Sequence, residues 1–339
     1  MKINSPERQE FVKQLLTKYP NLGSLTLGRI AHKRRPEFFL SAENAYQSVR
    51  YFRGNHGKKL RKTGDKSLHR PNQPSGIAWS FPVSHAPDFS AFALDAARTL
   101  ILSDIHIPFH DRAAVLAAVG EGKRRRLDAI LLNGDVCDFF SLSRFDKNPS
   151  ESSVKSELRL TRQFLGWLRQ EFPKARIIYK LGNHDEWFDK YLARKAPELI
   201  GVDGVDLAHL LTAEINGLPE VPGIEWVLDQ RKIVAGKLNI WHGHEIGKGS
   251  IAPPVNPARG LFMRTLDCGL MGHLHKASAH EETTSNGKLV STWSTGCLCG
   301  LWPRYARVNK WGHGAAFLEQ HSGGQFTLSP IRILRGRVL

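Results

Sequence analysis

Apolar residues in the first 54 positions recur at the three- and four-residue spacing of amphipathic helices. Ser5-Pro6-Glu7 is a typical helix start, with serine as the N-cap, proline in the first helical position and an acid in the first turn. The pattern predicts a second helix from about Ser24 and a third from Ser41, which Gly54 ends. Three short helices with tight connections predict a small helix-turn-helix-like module.

From residue 98 onward, short apolar runs alternate with helical patterns, which predicts an α/β domain with parallel strands and helices outside them. The first strands are predicted at 98–103, 128–133 and 175–180, and the first helices near 111–125, 151–172 and 185–196. The later chain is richer in strands, which are predicted at 231–241, 268–272, 289–294 and 314–319. A helix is expected from Asn256 and a final hairpin around Ser322-Gly323-Gly324.

The stretch between these two parts is rich in proline, serine and histidine and has little periodicity, which predicts an extended connector. The predicted organisation is therefore a basic three-helix module at 1–66, a linker at 67–97 and a large domain at 98–339.

The formal net charge is +16, which favours a polyanionic partner. Residues 1–97 carry 16 Lys+Arg and 7 Asp+Glu, a net charge of +9, so the N-terminal third is the more concentrated cationic region. We expect the third helix to expose two arginines and to continue into a basic run, a pattern typical of contacts to a phosphate backbone. The candidate nucleic-acid-binding residues are Arg50, Arg53, Lys58, Lys59, Arg61 and Lys62. The alternative is a solvated helical cap with a charged tail.

The composition, 41% hydrophobic and 24% charged, is that of an ordinary globular protein. The sequence contains no run of about 18 apolar residues, so it predicts no transmembrane helix. The N-terminus lacks the apolar core of a signal peptide. The four cysteines do not form the pattern of a disulfide framework, so a reducing cytoplasm is the expected location. Cys297 and Cys299 are read as small apolar residues, with metal binding as the alternative.

Five apolar runs end in groups that bind divalent metals, and in open α/β sheets such groups meet outside the carboxyl ends of the strands. The five stretches are Ser103-Asp104-Ile105-His106, Asn133-Gly134-Asp135-Val136-Cys137-Asp138, Gly182-Asn183-His184-Asp185, His242-Gly243-His244 and Gly272-His273-Leu274-His275. Five in series predict a shared metal site.

This order of motifs resembles the calcineurin-like metallophosphoesterase superfamily over roughly residues 98 to 320. The basic helical N-terminus is similar, more loosely, to that of some phage-encoded members. The resemblance implies a four-layer αββα sandwich of two mixed sheets, and a metal-dependent phosphoric ester hydrolase.

The resemblance also implies a role for each motif residue. Asp104, His106 and His275 would bind one divalent ion, Asn183, His242 and His273 a second, and Asp135 would bridge both. A hydroxide bridging the two ions would attack phosphorus in line. His184 would protonate the leaving oxygen, and Asp185 would orient its ring or cap the following helix. The oxygen and nitrogen donors suit Mn²⁺ first, with Fe, Zn²⁺ or Mg²⁺ as alternatives.

Three residues near the motifs are assigned lesser roles. Asp138 is expected to support a ligand or cap a helix, and His244 to neighbour the ligand His242 without binding metal. His110 is expected to lie on the surface, with a place in the phosphate pocket as the alternative. Trp302, Tyr305 and Trp311 either stack on a base or close the core of the second sheet.

The substrate is less well indicated. The protein Ser/Thr phosphatases of this superfamily carry arginines where this chain has Phe139-Phe140 and Lys180-Leu181, which argues against that class. The favoured hypothesis is a phosphodiesterase or nuclease that acts on nucleic acid, with DNA as the expected polymer. The alternative is a phosphohydrolase for a small nucleotide or other phosphoester, with the N-terminal module as a scaffold. A DNA-binding or assembly protein with an inactive site is the least favoured.

Overall fold

The computed structural model describes residues 5–54, 65–68, 83, 86, 90–143, 153–215, 217–246 and 255–339. The chain divides into two compact units, Met1–Ala86 and Pro87–Leu339. Most of the predicted linker, and the candidate contacts Lys58, Lys59, Arg61 and Lys62, lie outside the described residues.

Three helices form the N-terminal unit: α1 (Pro6–Lys18), α2 (Ser24–Arg34) and α3 (Ala42–Phe52). The predicted serine caps of α1 and α3 are confirmed, because Ser5 Oγ accepts from Arg8 N at 3.3 Å and Ser41 Oγ accepts from Asn44 N at 3.1 Å. The apolar faces of the helices enclose a small core of Val12, Leu15, Leu16, Leu27, Ala31, Phe39, Ala45 and Val49.

Arg53 does not have the exposed position that was predicted for it. It follows the last residue of α3, is only 3% exposed, and donates to the backbone carbonyl of Pro20 at 3.1 Å and to Ser24 Oγ at 3.1 Å. Its guanidinium thus satisfies groups at the α1–α2 connection instead of facing solvent. Arg50 is half-buried and lies over the Tyr46 ring, 5.5 Å from its centroid.

Two sheets form the second unit. Its strands are β1 (Phe92–Ala93), β2 (Arg98–Leu102), β3 (Ala129–Asn133), β4 (Arg176–Lys180), β5 (Ile224–Val227), β6 (Ile233–Ala235), β7 (Leu238–Ile240), β8 (Gly269–Met271), β9 (Ala277–Thr283), β10 (Leu289–Thr295), β11 (Gly314–Gln320), β12 (Phe326–Leu334) and β13 (Arg337–Val338). Its helices are α4 (Arg112–Arg124), α5 (Val154–Glu171), α6 (Trp187–Lys195), α7 (Leu207–Thr212) and α8 (Pro257–Thr265).

Within the described residues, one sheet has the order β13-β12-β11-β2-β3-β4-β5 and the other the order β1-β6-β7-β8-β10-β9. Strands β2 to β5 are parallel, as the alternating pattern predicts, while β11 joins the other side of β2 antiparallel. Residues 92–93, placed in the linker by sequence, instead form β1 and pair with β6. The single strand predicted at 231–241 is an antiparallel hairpin of β6 and β7, turned at Gly236 with φ of 58°.

The four layers are set by alternation along the strands. In β2, Leu100 and Leu102 enter a core shared with α4 and α5, whereas Ile101 enters a second core shared with Ile240 and Leu270 of the other sheet. Helix α8 packs against β8, β9 and β10. The arrangement is an αββα sandwich, as expected. No helix in the described part of the chain is long and apolar enough to cross a membrane.

Candidate metal centre

Both sheets deliver side chains to one edge of the sandwich. Asp104 and His106 follow β2, Asp135 follows β3, and the Asn183-His184-Asp185 stretch follows β4. From the other sheet, His242 follows β7, and His273 and His275 follow β8. Since parallel strands end on the same side, residues far apart in sequence converge there, as the motif order predicts.

Five of these residues have a left-handed backbone although none is glycine. The φ angles are 56° for Asp104, 53° for His106, 54° for Asp135, 65° for His273 and 56° for His275. A left-handed backbone is uncommon outside glycine, although Asp and His adopt it more often than most residues, and it clusters at functional sites. The strand-end motifs predicted the residues, but not this strain.

The atoms of the predicted ligands fall into two groups that share Asp135, and His184 also places a ligand atom within 4.8 Å of those of His106 and Asp135. On one side, His275 Nε2 lies 3.1 Å from Asp104 Oδ1 and 3.2 Å from His106 Nε2. On the other, Asp135, His242 and His273 place one donor atom each within 4.8 Å of one another. Asp135 Oδ2 is 3.2 Å from His242 Nε2 and 3.7 Å from His106 Nε2, so this carboxylate lies between the two groups.

Two buried polar atoms support a fit to metal ions. Among the described residues, Asn183 Oδ1 and His242 Nε2 make no hydrogen bond of good geometry, although His242 Nε2 lies 3.2 Å from the Asp135 carboxylate. Because His242 Nδ1 donates to the Asn133 carbonyl at 2.8 Å, the neutral form of the ring has its lone pair on Nε2. Buried polar atoms are normally paired, and an amide oxygen and a neutral imidazole nitrogen both bind divalent cations.

Further contacts orient the histidines. His106 Nδ1 lies 2.9 Å from Asp138 Oδ1, so Asp138 supports a candidate ligand. His275 Nδ1 lies 3.8 Å from Cys299 Sγ, and Cys299, His106 and His275 also form a group with ligand atoms within 4.8 Å of one another. Cys299 is buried, which fits both the apolar reading and the metal-binding alternative, and no sequence pattern indicated that it would adjoin His275.

His184 and Asp185 are placed differently. His184 Nδ1 donates to the Asp138 carbonyl at 2.5 Å, and its ring lies against Trp187 with centroids 3.8 Å apart. The Asp185 carboxylate accepts from the amides of Asp135, Cys137 and Gly182 at 2.8 to 3.0 Å and from the Tyr179 hydroxyl at 2.9 Å. These bonds join the loop after β3 to the loop after β4. The His184 ring is bonded to Asp138, and not to Asp185 as had been predicted.

The electrostatics reflect dense packing of opposite charges. Burial alone would raise the pKa of Asp135, but His242 and His184 hold it well below its usual value. Burial would lower the pKa of His242, but Asp135 and Asp104 raise it to about 10. Burial, with the charge of His242 beside it, lowers the pKa of His273 to about 4. The carboxylates therefore attract positive charge to the centre of the cluster.

A cleft of about 570 Å³ opens beside these groups. It is lined by Asp135, Asn183, His184, Val255, His273, Leu274, His275, Lys276, Tyr305, Asn309, Lys310 and Trp311. Tyr305 and Trp311, two of the three aromatics named from sequence, are in this lining, and Trp302 is outside it in the described part of the chain. The lysines and Asn309 were not singled out from sequence, because they have no motif of their own.

The remaining predicted neighbours are also placed. His110 is exposed, and His244 Nε2 lies 3.1 Å from Glu186 Oε1, so neither histidine is among the clustered ligand groups of the described residues. Lys180 is fully buried, and its Nζ is 2.9 Å from Glu245 Oε1. Phe139 is buried as well. Neither side chain therefore stands in for the phosphate-binding arginines of the protein phosphatases.

The calcineurin-like phosphoesterase family profile matches residues 97–276, which is more than half of the chain and includes all five motifs. The chain belongs to this family and is a metal-dependent phosphoesterase.

Among individual proteins, the chain is similar to the Gene 54 protein of Mycobacterium phage L5, with 28% identity over 195 residues that cover 56% of this chain and 73% of that protein. The Gene 54 protein of Mycobacterium phage D29 is 29% identical over 196 residues, with the same coverage. Among solved structures, Yfce, a phosphoesterase from E. coli, matches 70% of this chain and 100% of its own at 15% identity and a TM-score of 0.33. Vacuolar Protein Sorting 29 from Cryptosporidium parvum matches 70% of this chain and 99% of its own at 14% identity and a TM-score of 0.31.

Proposed function

We propose that this protein is a dinuclear-metal phosphodiesterase that hydrolyses the phosphodiester bonds of nucleic acid. The observation that carries the proposal is the position of Asp135, whose Oδ2 lies within 3.7 Å of donor nitrogens from both groups. A carboxylate shared by two sets of donors lowers the cost of holding two cations close together.

Each side chain has a proposed role. Asp104, His106 and His275 would hold one ion and Asn183, His242 and His273 the other, with Asp135 shared between the two sets of donors. When bound, the ions supply Lewis-acid stabilisation of the phosphoryl oxygens and activate the attacking water. The oxygen and nitrogen donors suit Mn²⁺, Fe or Zn²⁺, and we propose Mn²⁺.

His184 is proposed as the proton donor to the leaving oxygen. Because its Nδ1 donates to the Asp138 carbonyl, that nitrogen carries a proton in every charge state of the ring. Protonation of the ring therefore occurs at Nε2, and a ring lining the cleft releases that proton towards a bound substrate. Asp185 is proposed to position the ligand loops and not to take part in proton transfer.

The charge of the chain supports a polymeric anion as substrate. The net charge is +16, and the cationic N-terminal third favours a phosphate backbone. We retain Arg50, Lys58, Lys59, Arg61 and Lys62 as proposed backbone contacts, and leave out Arg53 because it is buried.

One observation favours a second candidate, a phosphatase or phosphodiesterase for a small nucleotide or other phosphoester. The cleft of about 570 Å³ is within the usual size range of small-ligand sites, about 300 to 1,000 Å³. In this case the N-terminal unit serves as a scaffold.

Hydrolysis assays with added Mn²⁺ separate the two candidates. The substrates are bis-p-nitrophenyl phosphate, p-nitrophenyl phosphate, and single- and double-stranded DNA, with Asp135→Ala and His184→Ala as inactive controls. Cleavage of the diester and of DNA that is lost in both variants supports the nuclease. Turnover of the monoester alone, with DNA untouched at every salt concentration, overturns it in favour of the small-substrate enzyme.

A further inference from the structure

A segment of alternating aromatic and basic residues borders the cleft. Residues 302–311 contain three aromatic side chains and three cationic ones, and no acid. The aromatics are Trp302, Tyr305 and Trp311, and the cations are Arg304, Arg307 and Lys310. Interleaved aromatic and basic side chains are characteristic of surfaces that bind single-stranded nucleic acid.

Part of this segment lies directly beside the candidate metal centre. The Trp311 ring stands edge-on to the ring of His275, with centroids 4.1 Å apart and planes at 70°. The Tyr305 ring is 6.2 Å from the Trp311 ring. Tyr305, Lys310 and Trp311 line the same cleft as Asp135 and His184, so a ligand bound there contacts both the segment and the reacting centre.

Backbone contacts hold the segment in place before any ligand binds. The Asn309 side-chain amide donates to the carbonyls of Leu301 at 2.6 Å and Ala306 at 2.7 Å, and its oxygen accepts from Trp311 N at 2.8 Å. Gly312 N donates to the carbonyl of His275 at 3.0 Å, which joins the end of the segment to a candidate ligand. A surface that is ordered in advance loses less entropy on binding.

Tyr305 is highly exposed for an aromatic residue, although hydrogen bonds hold the segment that carries it. It is 68% exposed although it lines the cleft and is 6.2 Å from Trp311. Its ring is therefore accessible to a ligand in the cleft. The neighbouring cations Arg307 and Lys310 are exposed as well.

We propose that this segment binds an unstacked base on Tyr305 and Trp311 and the adjoining phosphates through Arg307 and Lys310, so that the preferred polymer is single-stranded nucleic acid. This inference rests on the proposed function and specifies its substrate. A base in a duplex has both faces covered by its neighbours, whereas a single strand can present a free face to an aromatic ring. Phosphate contacts alone would favour a duplex, whose charge density is higher.

Binding measurements on the full-length chain test the inference without turnover. Fluorescence anisotropy in EDTA is measured with three fluorescein-labelled probes of about 12 nucleotides, which cover a few bases on either side of one stacking site. The probes are a single strand, an abasic strand with the same number of phosphates, and the matching duplex. The single strand is expected to bind more tightly than both others, because only it offers a free base.

Variants assign the preference to the segment. Tyr305→Ala is expected to weaken single-strand binding by about 5- to 100-fold, the range for loss of one base stack, and to leave abasic binding unchanged. Tyr305→Phe keeps the ring and is expected to retain the preference. Arg307→Gln is expected to weaken all three probes, while Tyr191→Ala, in α6 outside the cleft lining of the described residues, changes none.

The outcomes separate this inference from the proposed function. Hydrolysis of bis-p-nitrophenyl phosphate together with equal affinity for the single strand, abasic strand and duplex overturns the inference and leaves the phosphodiesterase intact. Equal losses on all probes with Tyr305→Ala overturn it also. If the single strand binds more tightly than the abasic strand and Tyr305→Ala removes this difference, the segment binds a base. This result supports the inference even if the protein hydrolyses no diester.

Discussion

His106 and Asp138 form a hydrogen-bonded pair, with His106 Nδ1 and Asp138 Oδ1 2.9 Å apart. The carboxylate fixes the imidazole with its proton on Nδ1, so that Nε2 faces the cluster of candidate ligands. The carbonyl of Asp138 also accepts from His184 Nδ1. One residue therefore positions both a proposed metal ligand and the proposed proton donor.

Asp138→Asn is expected to lower hydrolysis of bis-p-nitrophenyl phosphate by about 10- to 100-fold, the usual effect of losing a carboxylate behind a ligating histidine. The affinity for Mn²⁺ is expected to fall as well, which isothermal titration calorimetry measures. Asp203→Asn, at an exposed loop position, is the matched control. Unchanged Mn²⁺ affinity and activity in Asp138→Asn would remove Asp138 from the site.

Gly182→Ala is expected to abolish detectable activity. A methyl group at this position would overlap Asp135, both at its backbone nitrogen and at its Oδ1, and neither can move without displacing the shared carboxylate. Gly120→Ala is the control, because a methyl group there meets nothing within 4 Å and lies inside α4. The control is expected to raise the free energy of unfolding by about 0.5–1 kcal/mol. An active Gly182→Ala enzyme would contradict the close approach of these loops.

Removal of metal with EDTA is expected to lower the melting temperature, and added Mn²⁺ is expected to restore it. An ion present at 100 times its Kd stabilises the native state by about 2.7 kcal/mol, or about 5–10 °C for a domain of this size. Differential scanning fluorimetry measures the shift. Asp135→Ala is expected to melt at the same temperature with and without Mn²⁺, and a response equal to that of the unsubstituted chain would argue against Asp135 as a ligand.

The stabilisation by Glu121 is expected to depend on pH. Its carboxylate accepts from Arg124 and Arg125, and its pKa is lowered from 4.5 to about 2, mainly by the Arg124 hydrogen bond. Because the folded pKa is below the unfolded one, the stabilisation is complete above about pH 4.5 and is lost as the pH falls towards 2. Arg124 is 69% exposed, so we expect only about 1 kcal/mol at neutral pH.

Urea denaturation of Glu121→Gln from neutral pH down to about pH 3 measures this dependence. The difference in urea midpoint between the unsubstituted chain and Glu121→Gln is expected to become smaller as the pH falls. The exposed Glu198→Gln is the control, with no gap expected. A gap that stays constant or widens in acid would exclude the Arg124 and Arg125 contacts as its source.

Short-range patterns predicted most of the strands and the motif residues, because each depends on spacing within a few positions, whereas the four layers followed from the family resemblance. Strand β9 was missed because it lies at a sheet edge and its Ala277–Thr283 sequence is largely polar. The β6–β7 turn was missed because only Gly236 and Lys237 interrupt the apolar run between Ala235 and Leu238. Contacts between distant residues, such as Arg53 with Pro20 and Cys299 with His275, leave no local pattern that a sequence could reveal.

The position of β11 has a consequence for the newly made chain. This strand, residues 314–320, pairs directly with β2, residues 98–102, although most of the domain is synthesised between them. Until β11 leaves the ribosome, one edge of β2 has no partner strand. Leu298, whose amide donates to the Asp104 carbonyl beside this strand, is also synthesised late, shortly before β11. An open edge in the middle of a future sheet invites pairing with other chains. A polypeptide truncated before residue 314 is therefore expected to aggregate, not to persist as a weakened hydrolase.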